Sequence, residues 1–228
     1  MITTPTLRLA LLDLDGTLKS ARDPYLYLHQ QLGTMDAARE LTEKGKRGEI
    51  GYTEWTERDV ALWRGTTRKA MIAAFRHNPY LPGARELIAA LQRAGVEIAL
   101  ISSGLDVHAR LVADELAIQH VVSNEVVFAE GVATGEVRFG VPEGRKGPVA
   151  DRLLAERGLT PAECLAMGDS SSDIELFERA AVRVAVAPAP GDRIRAMADI
   201  VLDEPDLRDL LSRLRALRAD FLPPALHV

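Results

Sequence analysis

The feature that most constrains this chain is the apolar run Leu9–Leu12, which is followed at once by Asp13, Leu14 and Asp15. Because the run is apolar without alternation, it predicts a short strand buried on both faces. In an open parallel sheet, ligands bind at the carboxyl ends of the strands, where these two acids would lie. Neighbouring carboxylates repel each other unless a cation lies between them, and hard cations prefer oxygen ligands. The stretch favours a magnesium site whose first aspartate can attack an electrophile; the alternative is a capped strand end with surface acids.

The chain after Gly83 alternates between predicted helices and predicted apolar strands. Strands are expected at 96–101, 121–122, 164–167, 182–187 and 200–202, and a hairpin over 125–139. Helices are expected over 84–94, 107–116, 146–157, 174–181 and 206–218. This alternation predicts an α/β fold, a doubly wound, Rossmann-like parallel sheet with helices on both faces.

Three of the predicted strands end in reactive side chains. Asp13 and Asp15 follow the first strand, Ser102 follows the second, and Asp169 follows the strand at 164–167. The carboxyl ends of parallel strands lie on one edge of a sheet, so these groups should converge. Asp173 begins the next helix, and the serines at 170–172 lie where the amides of a helix N-terminus favour an anion.

The segment from Pro24 to about Phe75 has helical patterns and no strand signal. Four helices are expected there, over 24–33, 34–45, 52–63 and 66–76. We therefore expect a small helical domain at 19–79, inserted into a core domain formed by 1–18 and 80–228. The insert has more basic than acidic residues, which suits an anionic substrate, although a solvated charged surface explains it equally well.

Composition excludes several classes of protein. The 228 residues carry a net charge of −5, which argues mildly against a nucleic-acid partner. No apolar run approaches the roughly 20 residues that span a bilayer, so no membrane segment is expected. The N-terminus lacks the features of a signal peptide, and a cytoplasmic location is expected. The single cysteine, Cys164, excludes an internal disulfide and is expected to be a buried, inert thiol.

Lys146 begins one of the predicted helices and precedes Gly147 and Pro148. Most lysines are solvated surface residues, and that is the simpler explanation. The helix leads, however, into the strand that ends at Asp169. Its start is therefore expected near the edge of the sheet where the other reactive residues meet.

Four motifs connect these residues in chain order. They are Asp13-Leu14-Asp15-Gly16-Thr17, then Ser102, then Lys146, and then Gly168-Asp169-Ser170-Ser171-Ser172-Asp173. Over nearly the whole chain, their order and strand context resemble the motifs of the haloacid dehalogenase superfamily of phosphatases. The helical insert is similar to the C1 cap of the phosphoserine-phosphatase-like branch. Residues 47–50, 60–62, 99–106 and 134–137 also resemble that branch.

The resemblance implies a role for each motif. Asp13 would attack phosphorus and form an aspartyl-phosphate, and Asp15 would protonate the leaving alcohol and then deprotonate water. Mg²⁺ would be held by Asp13, the backbone carbonyl of Asp15, and Asp169. Lys146 would offset charge on the nucleophile and the phosphoryl group, and Asp173 would position Lys146 or a metal-bound water. The residues expected to bind phosphate are Gly16, Thr17, Ser102, Ser103, Gly104 and Lys146.

The expected function is that of a magnesium-dependent phosphatase for a small phosphorylated metabolite. A phosphoserine phosphatase proper, or a phosphomutase or phosphotransferase using the same intermediate, is the alternative. Dehalogenation is disfavoured because that branch lacks a second acid, which Asp15 supplies here. A binding or regulatory protein that kept the fold is disfavoured because every catalytic position is filled.

Three residues of the insert are expected to bear on specificity. Phosphoserine phosphatases resemble one another in a cap acid that holds the substrate ammonium and a cap arginine that holds its carboxylate. By position these correspond here to Arg22 and Asp59, so both charges are reversed, although a slip of one residue at Arg58 would restore the arginine. The reversed pair could form its own salt bridge, or Arg22 could bind a second part of the substrate, with Tyr52 packing on that part or in the cap core. We therefore expect L-phosphoserine to be turned over poorly relative to a sugar phosphate, polyol phosphate or other phosphomonoester.

Overall fold

In the computed structural model, which describes residues 6–226, seven strands form one sheet in the order β4-β3-β2-β1-β5-β6-β7. The strands are β1 Leu9–Leu12, β2 Glu97–Leu105, β3 His120–Ala129, β4 Val132–Arg138, β5 Cys164–Gly168, β6 Val182–Val186 and β7 Ile200–Leu202. Neighbouring strands pair in parallel, except that β4 runs antiparallel to β3. The predicted α/β fold is confirmed.

Ten α-helices accompany the sheet within the described residues. They are α1 Pro24–Leu32, α2 Met35–Lys46, α3 Tyr52–Ala61, α4 Arg68–Arg76, α5 Ala84–Arg93, α6 Asp106–Leu116, α7 Gly147–Arg157, α8 Ile174–Phe177, α9 Arg193–Met197 and α10 Leu210–Arg218. None of these described helices has the length and apolar character needed to cross a lipid bilayer.

Strand β1 lies at the centre of the sheet and is buried on both faces. Ala10 and Leu12 pack into one apolar layer with residues of α5, α6 and α10. Leu9 and Leu11 pack into the opposite layer with residues of α7 and α8. Two buried faces explain why the run is apolar without alternation.

The register of the central strands brings the reactive residues to one edge. Leu12 of β1 lies opposite Leu100 of β2 and Met167 of β5. The residues that come after these three positions along the chain therefore lie at the carboxyl end of the sheet. Asp13 follows Leu12 directly, and Asp169 lies two residues beyond Met167.

Four helices, α1 to α4, lie between β1 and α5. Their apolar cluster contains Leu28, Trp63 and Phe75 and extends to Val126 and Ala133 of the β3–β4 hairpin. Asp23 caps α1 by accepting hydrogen bonds from two backbone amides, and Thr67 caps α4.

Helix α2 continues through Gly45, where the sequence predicts an end. A Cβ on Gly45 would lie 2.2 Å from the ring of Trp55, so this glycine allows α2 and α3 to approach closely. Packing, and not the termination of a helix, explains the residue.

The two segments that join the helical insert to the sheet run side by side. Ser20 N donates to Pro79 O at 2.9 Å, and Leu81 N donates to Leu18 O at 2.9 Å. The division into a cap at 19–79 and a core at 1–18 and 80–228 stays a prediction.

Three elements differ from the sequence prediction. Strand β2 continues past residue 101, so that Ser102 and Ser103 lie inside it. The predicted short strand at 121–122 and the first arm of the hairpin form one strand, β3, because the polar Asn124 between them is buried and accepts a hydrogen bond from Val141 N. Helix α9 was not predicted, since the prolines and glycine at 188–191 indicate only a loop.

Candidate active site

Asp13 lies directly after β1 and is held by two side chains. Its Oδ1 accepts a hydrogen bond from Lys146 Nζ at 2.5 Å, and its Oδ2 accepts one from Thr17 Oγ1 at 2.9 Å. The residue is only 4% exposed. Burial, followed by the charge of Asp15, raises the pKa of the Asp13 carboxyl, and Lys146 opposes this rise. The two contacts fix the orientation of a carboxylate at the mouth of the core.

Lys146 lies at the start of α7 and is buried, not solvated. Its Nζ also donates to Asp173 Oδ1 at 2.6 Å. Although burial disfavours its charge, Asp13 and Asp173 hold the pKa of Lys146 well above its ordinary value. The ammonium is therefore a fixed positive charge against the nucleophile candidate.

Asp173 is itself anchored by the backbone that follows β5. Its Oδ2 accepts hydrogen bonds from the amides of Asp169 at 3.0 Å and Ser170 at 3.3 Å. Burial raises the pKa of Asp173 to about 7, against the lowering effect of Lys146. Both oxygens are thus engaged by the protein, and the carboxylate holds Lys146 in place.

Asp15 faces a different set of partners from Asp13. Its Oδ2 accepts a hydrogen bond from Ser102 Oγ at 3.1 Å, and Ser102 Oγ accepts one from Gly104 N at 2.9 Å. His108 Nδ1 lies 3.0 Å from Asp15 Oδ1, at an angle outside hydrogen-bond geometry. Asp15 therefore sits between the hydroxyl of Ser102, which lies within β2, and the imidazole of His108, which lies in the first turn of α6.

Asp13, Asp169 and Asp173 form a group of buried carboxylates that could hold a metal ion. Each offers an oxygen, and these oxygens lie within 4.8 Å of one another. The backbone carbonyl of Asp15 accepts no hydrogen bond from any residue that the structure describes. Burial and then the charge of Asp13 raise the pKa of Asp169 to about 6. Such oxygens suit a hard cation.

Gly16 allows this group to form. Its φ of +81° lies in the left-handed region, and a Cβ there would lie 2.3 Å from Asp169 Oδ2. Only glycine meets both conditions without displacing Asp169. Gly104 is constrained in the same way, because a Cβ there would lie 2.7 Å from Asp15 Oδ2.

A cavity of about 230 Å³ opens above these residues. Its core side is formed by Asp13, Asp15, Ser102, Ser103, Gly104, Asp169, Ser170 and Ser172. Its other side is formed by residues of the helical insert: Arg22, Asp23, Pro24, Tyr25, Leu26, Tyr52, Trp55, Thr56 and Asp59. A small molecule can therefore lie between the sheet edge and the insert.

Comparisons with known proteins agree with this geometry. The family model for haloacid dehalogenase-like hydrolases matches residues 10–178. The chain belongs to that family. The resemblance inferred from the four motifs is confirmed, and the protein is an enzyme, a phosphatase-type member of the haloacid dehalogenase-like hydrolases.

Individual relatives point to one branch of the family. The chain is 32% identical to a phosphoserine phosphatase from Idiomarina loihiensis over 77% of this chain and 79% of the relative. It is 28% identical to one from Archaeoglobus fulgidus over 94% of this chain, and it spans 61% of that relative's length. A solved phosphoserine phosphatase from T. onnurineus superposes with a TM-score of 0.68 at 26% identity, over 92% of this chain and 96% of that one.

Arg22 and Asp59, the two residues of the insert whose charges are reversed relative to phosphoserine phosphatases, do not pair with each other. Arg22 Nε donates to Asp169 Oδ2 at 2.7 Å, and its two terminal nitrogens donate to the carbonyls of Asp169 and Ala187 at 3.0 Å each. Asp59 instead contacts His29, with 3.2 Å between its Oδ1 and Nε2. A salt bridge between Arg22 and Asp59 is therefore not formed.

A one-residue shift in the comparison with phosphoserine phosphatases would place Arg58, and not Asp59, at the specificity position, but Arg58 does not face the cavity. Arg58 is exposed and forms an ion pair with Glu54 one turn earlier in α3. It does not line the cavity, whereas Asp59 does and is buried. Successive residues of a helix point about 100° apart, so Asp59 alone of the two can face the site.

Tyr52 both lines the cavity and joins the insert to the core. Its hydroxyl donates to Ser103 O at 2.9 Å, and Tyr25 donates to the same carbonyl at 3.1 Å. Asn124 Nδ2 lies against both phenol oxygens and donates to Ser103 O at 2.8 Å. The two tyrosine rings are thus fixed in the wall of the cavity.

The remaining predicted phosphate-binding residues also lie at this edge. Thr17 is buried and turned toward Asp13, while Ser103 lines the cavity and Gly104 orients Ser102. All of these residues are therefore brought together around Asp13.

Sequence reasoning missed His108, Asp23, Trp55 and Asn124. One signal could have found His108: its helix starts directly after β2, so its first turn must lie near the sheet edge. Trp55 Nε1 is buried without a partner among the described residues, which only a structure can show.

Proposed function

We propose that this hydrolase cleaves small phosphomonoesters through a phosphorylated Asp13. The observation that supports this best is the contact of Asp13 with Lys146 at 2.5 Å, in a buried group that includes Asp169 and Asp173. A carboxylate so placed is aligned by a fixed cation and faces a cavity of substrate size. Family membership supports the same reaction.

In the first step, an Asp13 oxygen forms a bond to phosphorus while the bond from phosphorus to the ester oxygen breaks. Protonated Asp15 gives its proton to the departing alcohol. Ser102, which donates to Asp15 Oδ2, is placed to reach a phosphate oxygen once substrate is bound. Lys146 balances part of the negative charge gathered at Asp13.

In the second step, Asp15 accepts a proton from water while that water attacks phosphorus. The bond between phosphorus and Asp13 breaks, and inorganic phosphate leaves. The same carboxyl group therefore acts as acid and then as base, so its protonation state is restored at the end of the cycle.

The donor set fits Mg²⁺, which we propose as the cofactor. Asp13, Asp169 and the free carbonyl of Asp15 would hold it, and Asp173 would keep Lys146 in position. When bound, the ion supplies electrostatic neutralisation of the phosphate dianion. Carboxylate and carbonyl oxygens in a buried group are the ligands that hard cations prefer.

The substrate proposed here is a small phosphorylated metabolite, because the cavity is closed on two sides by the sheet edge and the insert. We also propose that residues 19–79 act as a cap domain on a core of 1–18 and 80–228. The cytoplasmic location expected from the sequence stays a prediction.

Hydrolysis of p-nitrophenyl phosphate with Mg²⁺ and with EDTA tests the reaction. Asp13→Asn should lower kcat by at least about 10³-fold, because an amide cannot form the acyl-phosphate. Folding should survive, since a member of a repelling group is removed. Asp114→Asn, an exposed acid on α6, is the matched control. Retention of most activity in Asp13→Asn, with the control active, would refute the mechanism.

A further inference from the structure

The cavity wall supplied by the insert contains a buried carboxylate without a counter-charge. Asp59 is 4% exposed. Its Oδ1 is 3.2 Å from His29 Nε2, while its Oδ2 has no partner among the described residues. Since Asp59 lines the cavity, that free oxygen is available to a bound molecule.

Two contacts assign the tautomer of His29. Trp63 Nε1, which can only donate, lies 3.1 Å from His29 Nδ1, so Nδ1 is assigned as an acceptor; the hydroxyl of Thr34, 2.7 Å from the same nitrogen, can donate to it as well. The proton of the ring is therefore on Nε2 and is donated to Asp59. The Asp59 carboxylate gains a hydrogen bond but no positive charge, and burying such a charge is costly unless a cation accompanies it.

Asp23, which is exposed to solvent, places a second carboxylate in the same wall. Its Oδ1 caps α1 by accepting from Tyr25 N at 3.0 Å and Leu26 N at 2.9 Å. Its Oδ2 has no partner among residues 6–226. Desolvation raises the pKa of the Asp23 carboxyl, and the charge of Asp59 raises it further, so the two groups interact. A cation between them would relieve this repulsion.

Aromatic rings surround the two acids. Tyr25, Tyr52 and Trp55 line the cavity, and both tyrosine hydroxyls are committed to Ser103 O. The tyrosines therefore present their ring faces to a ligand, because their hydroxyl protons are used within the protein. Aromatic faces beside carboxylates are a favourable environment for an ammonium group.

Among the described residues that line the cavity, no cation is free to receive a substrate carboxylate. Arg22 is the only positively charged side chain that lines the cavity among the described residues, and all three of its nitrogens already donate to Asp169 or Ala187. Arg58 points away and pairs with Glu54. A carboxylate next to Asp23 and Asp59 would be repelled.

Given the proposed phosphatase reaction, on which this inference rests, we infer that the preferred substrates are phosphomonoesters of amino alcohols that carry an ammonium group and no carboxylate. The phosphate lies against Asp13 and Ser102 at the sheet edge. The ammonium lies against Asp59 and Asp23 in the insert. Among the phosphomonoesters expected from the sequence, this favours the charged amines over sugar and polyol phosphates.

The test compares two esters of nearly equal size, 2-aminoethyl phosphate and 2-hydroxyethyl phosphate, with the full-length protein and Mg²⁺. L-Phosphoserine reports the effect of adding a carboxylate, and p-nitrophenyl phosphate reports the reaction itself. The expected kcat/KM for the amine exceeds that for the hydroxyl ester by about tenfold or more, as a charged hydrogen bond predicts. L-Phosphoserine is expected to fall below 2-aminoethyl phosphate.

Two variants assign that preference to the acids. Asp59→Asn and Asp23→Asn should each lower the ratio of amine to hydroxyl kcat/KM by about tenfold. At position 59, asparagine still accepts a hydrogen bond from His29. At position 23, asparagine is as good a helix cap as aspartate, so Asp23→Asn tests the role of the acids even if Asp59→Asn does not fold. Glu57→Gln, an exposed acid on the same helix as Asp59, makes the same change of charge and should leave the ratio unchanged.

The outcomes separate the two proposals. Magnesium-dependent hydrolysis of p-nitrophenyl phosphate with equal kcat/KM for the amine and the hydroxyl ester overturns this inference and leaves the reaction intact. L-Phosphoserine as the best substrate also overturns it. Absence of any phosphatase activity overturns both. A preference for the amine that survives in both variants shows that other residues hold the ammonium and overturns the assignment.

Discussion

At the scale of single residues, the contact between His108 and Asp15 explains most about how the acid is positioned. His108 is fully buried, with its Nδ1 3.0 Å from Asp15 Oδ1. Its ring stacks on Phe75 with centroids 4.3 Å apart and planes 9° from parallel. On its other side, Nε2 lies 3.5 Å from Asn78 Nδ2. The imidazole is therefore fixed against the carboxyl that we propose as the acid and base.

Replacing His108 should affect the proton transfer more than binding. His108→Phe keeps the stacking on Phe75 and should lower kcat for 2-aminoethyl phosphate by about tenfold, because a misplaced acid transfers its proton less well. The loss should be smaller for p-nitrophenyl phosphate, whose leaving group needs little protonation. Steady-state kinetics on both esters measures the difference.

An equal loss on both esters, or a change in KM alone, would contradict a positioning role for His108. His77→Phe, an exposed position at the end of α4, provides the matched control. Thermal unfolding of both variants shows whether the fold is retained.

The motif residues could be predicted from the sequence, but their partners could not. Asp13, Asp15 and Asp169 follow apolar strands, and Ser102 follows the apolar part of β2. The carboxyl ends of these strands must meet in a parallel sheet. The pairing of Arg22 with Asp169, instead of Asp59, depends on how a loop of the insert lies over the end of β5. That path is set by contacts between distant segments, which leave no local pattern.

At the scale of elements, the insert contacts the core through its two connecting segments on one side and through two tyrosines on the other. Its two connecting segments share backbone hydrogen bonds, and Ala21 N donates to Asn78 Oδ1 at 3.0 Å. Tyr25 of α1 and Tyr52 of α3 close the opposite side on Ser103 O. We therefore expect the insert to open about these connecting segments when the tyrosine contacts break.

Tyr52→Phe should make that opening easier. The variant loses the hydrogen bond to Ser103 O and the one accepted from Asn124 Nδ2. Since each is worth roughly 0.5–1.5 kcal/mol, amide exchange in α1 and α3 should rise by at least about two- to tenfold while the central strands are unchanged. Hydrogen–deuterium exchange followed by mass spectrometry measures this. Tyr80→Phe removes a hydroxyl whose partner is the exposed Glu115 and serves as the control.

Faster exchange in Tyr80→Phe than in Tyr52→Phe, or no change in either, would show that the tyrosine contacts do not hold the insert closed. The expectation that the insert opens about its connecting segments would then need other support.

Most elements followed from hydrophobic periodicity, and the exceptions share a cause. Periodicity reports which residues are buried, so it fails where a polar residue is buried and bonded, as Asn124 is within β3. It also fails for α9, whose five residues are too few to show a period. The first helices of the insert were predicted because Pro24, Gly33 and Thr34 mark their ends.

At the scale of the whole molecule, the fold gathers carboxylates at one edge at a cost to its own stability. Burial raises the pKa of Asp169 to about 6 and that of Asp173 to about 7, from an ordinary value of 3.8. Between about pH 4 and pH 7 these two carboxyls therefore bind more protons in the folded protein than in the unfolded chain. The free energy of unfolding contributed by these groups falls as the pH rises through that range.

Unfolding in EDTA and in Mg²⁺ should show this cost and its relief. Without metal, the melting temperature should fall by at least about 3 °C between pH 5 and pH 8. Asp169→Asn should reduce that fall because it removes one of the carboxyls whose pKa is raised.

Mg²⁺ should raise the melting temperature of the wild type, more at pH 8 than at pH 5, because it binds the deprotonated group of the folded state only. Asp169→Asn should lose most of the increase, and Asp114→Asn should keep it. Differential scanning calorimetry measures all of these values. If the metal-free melting temperature depends on pH identically in wild type and Asp169→Asn, burial does not raise the pKa of Asp169. An unchanged Mg²⁺ shift in that variant would place the ion elsewhere.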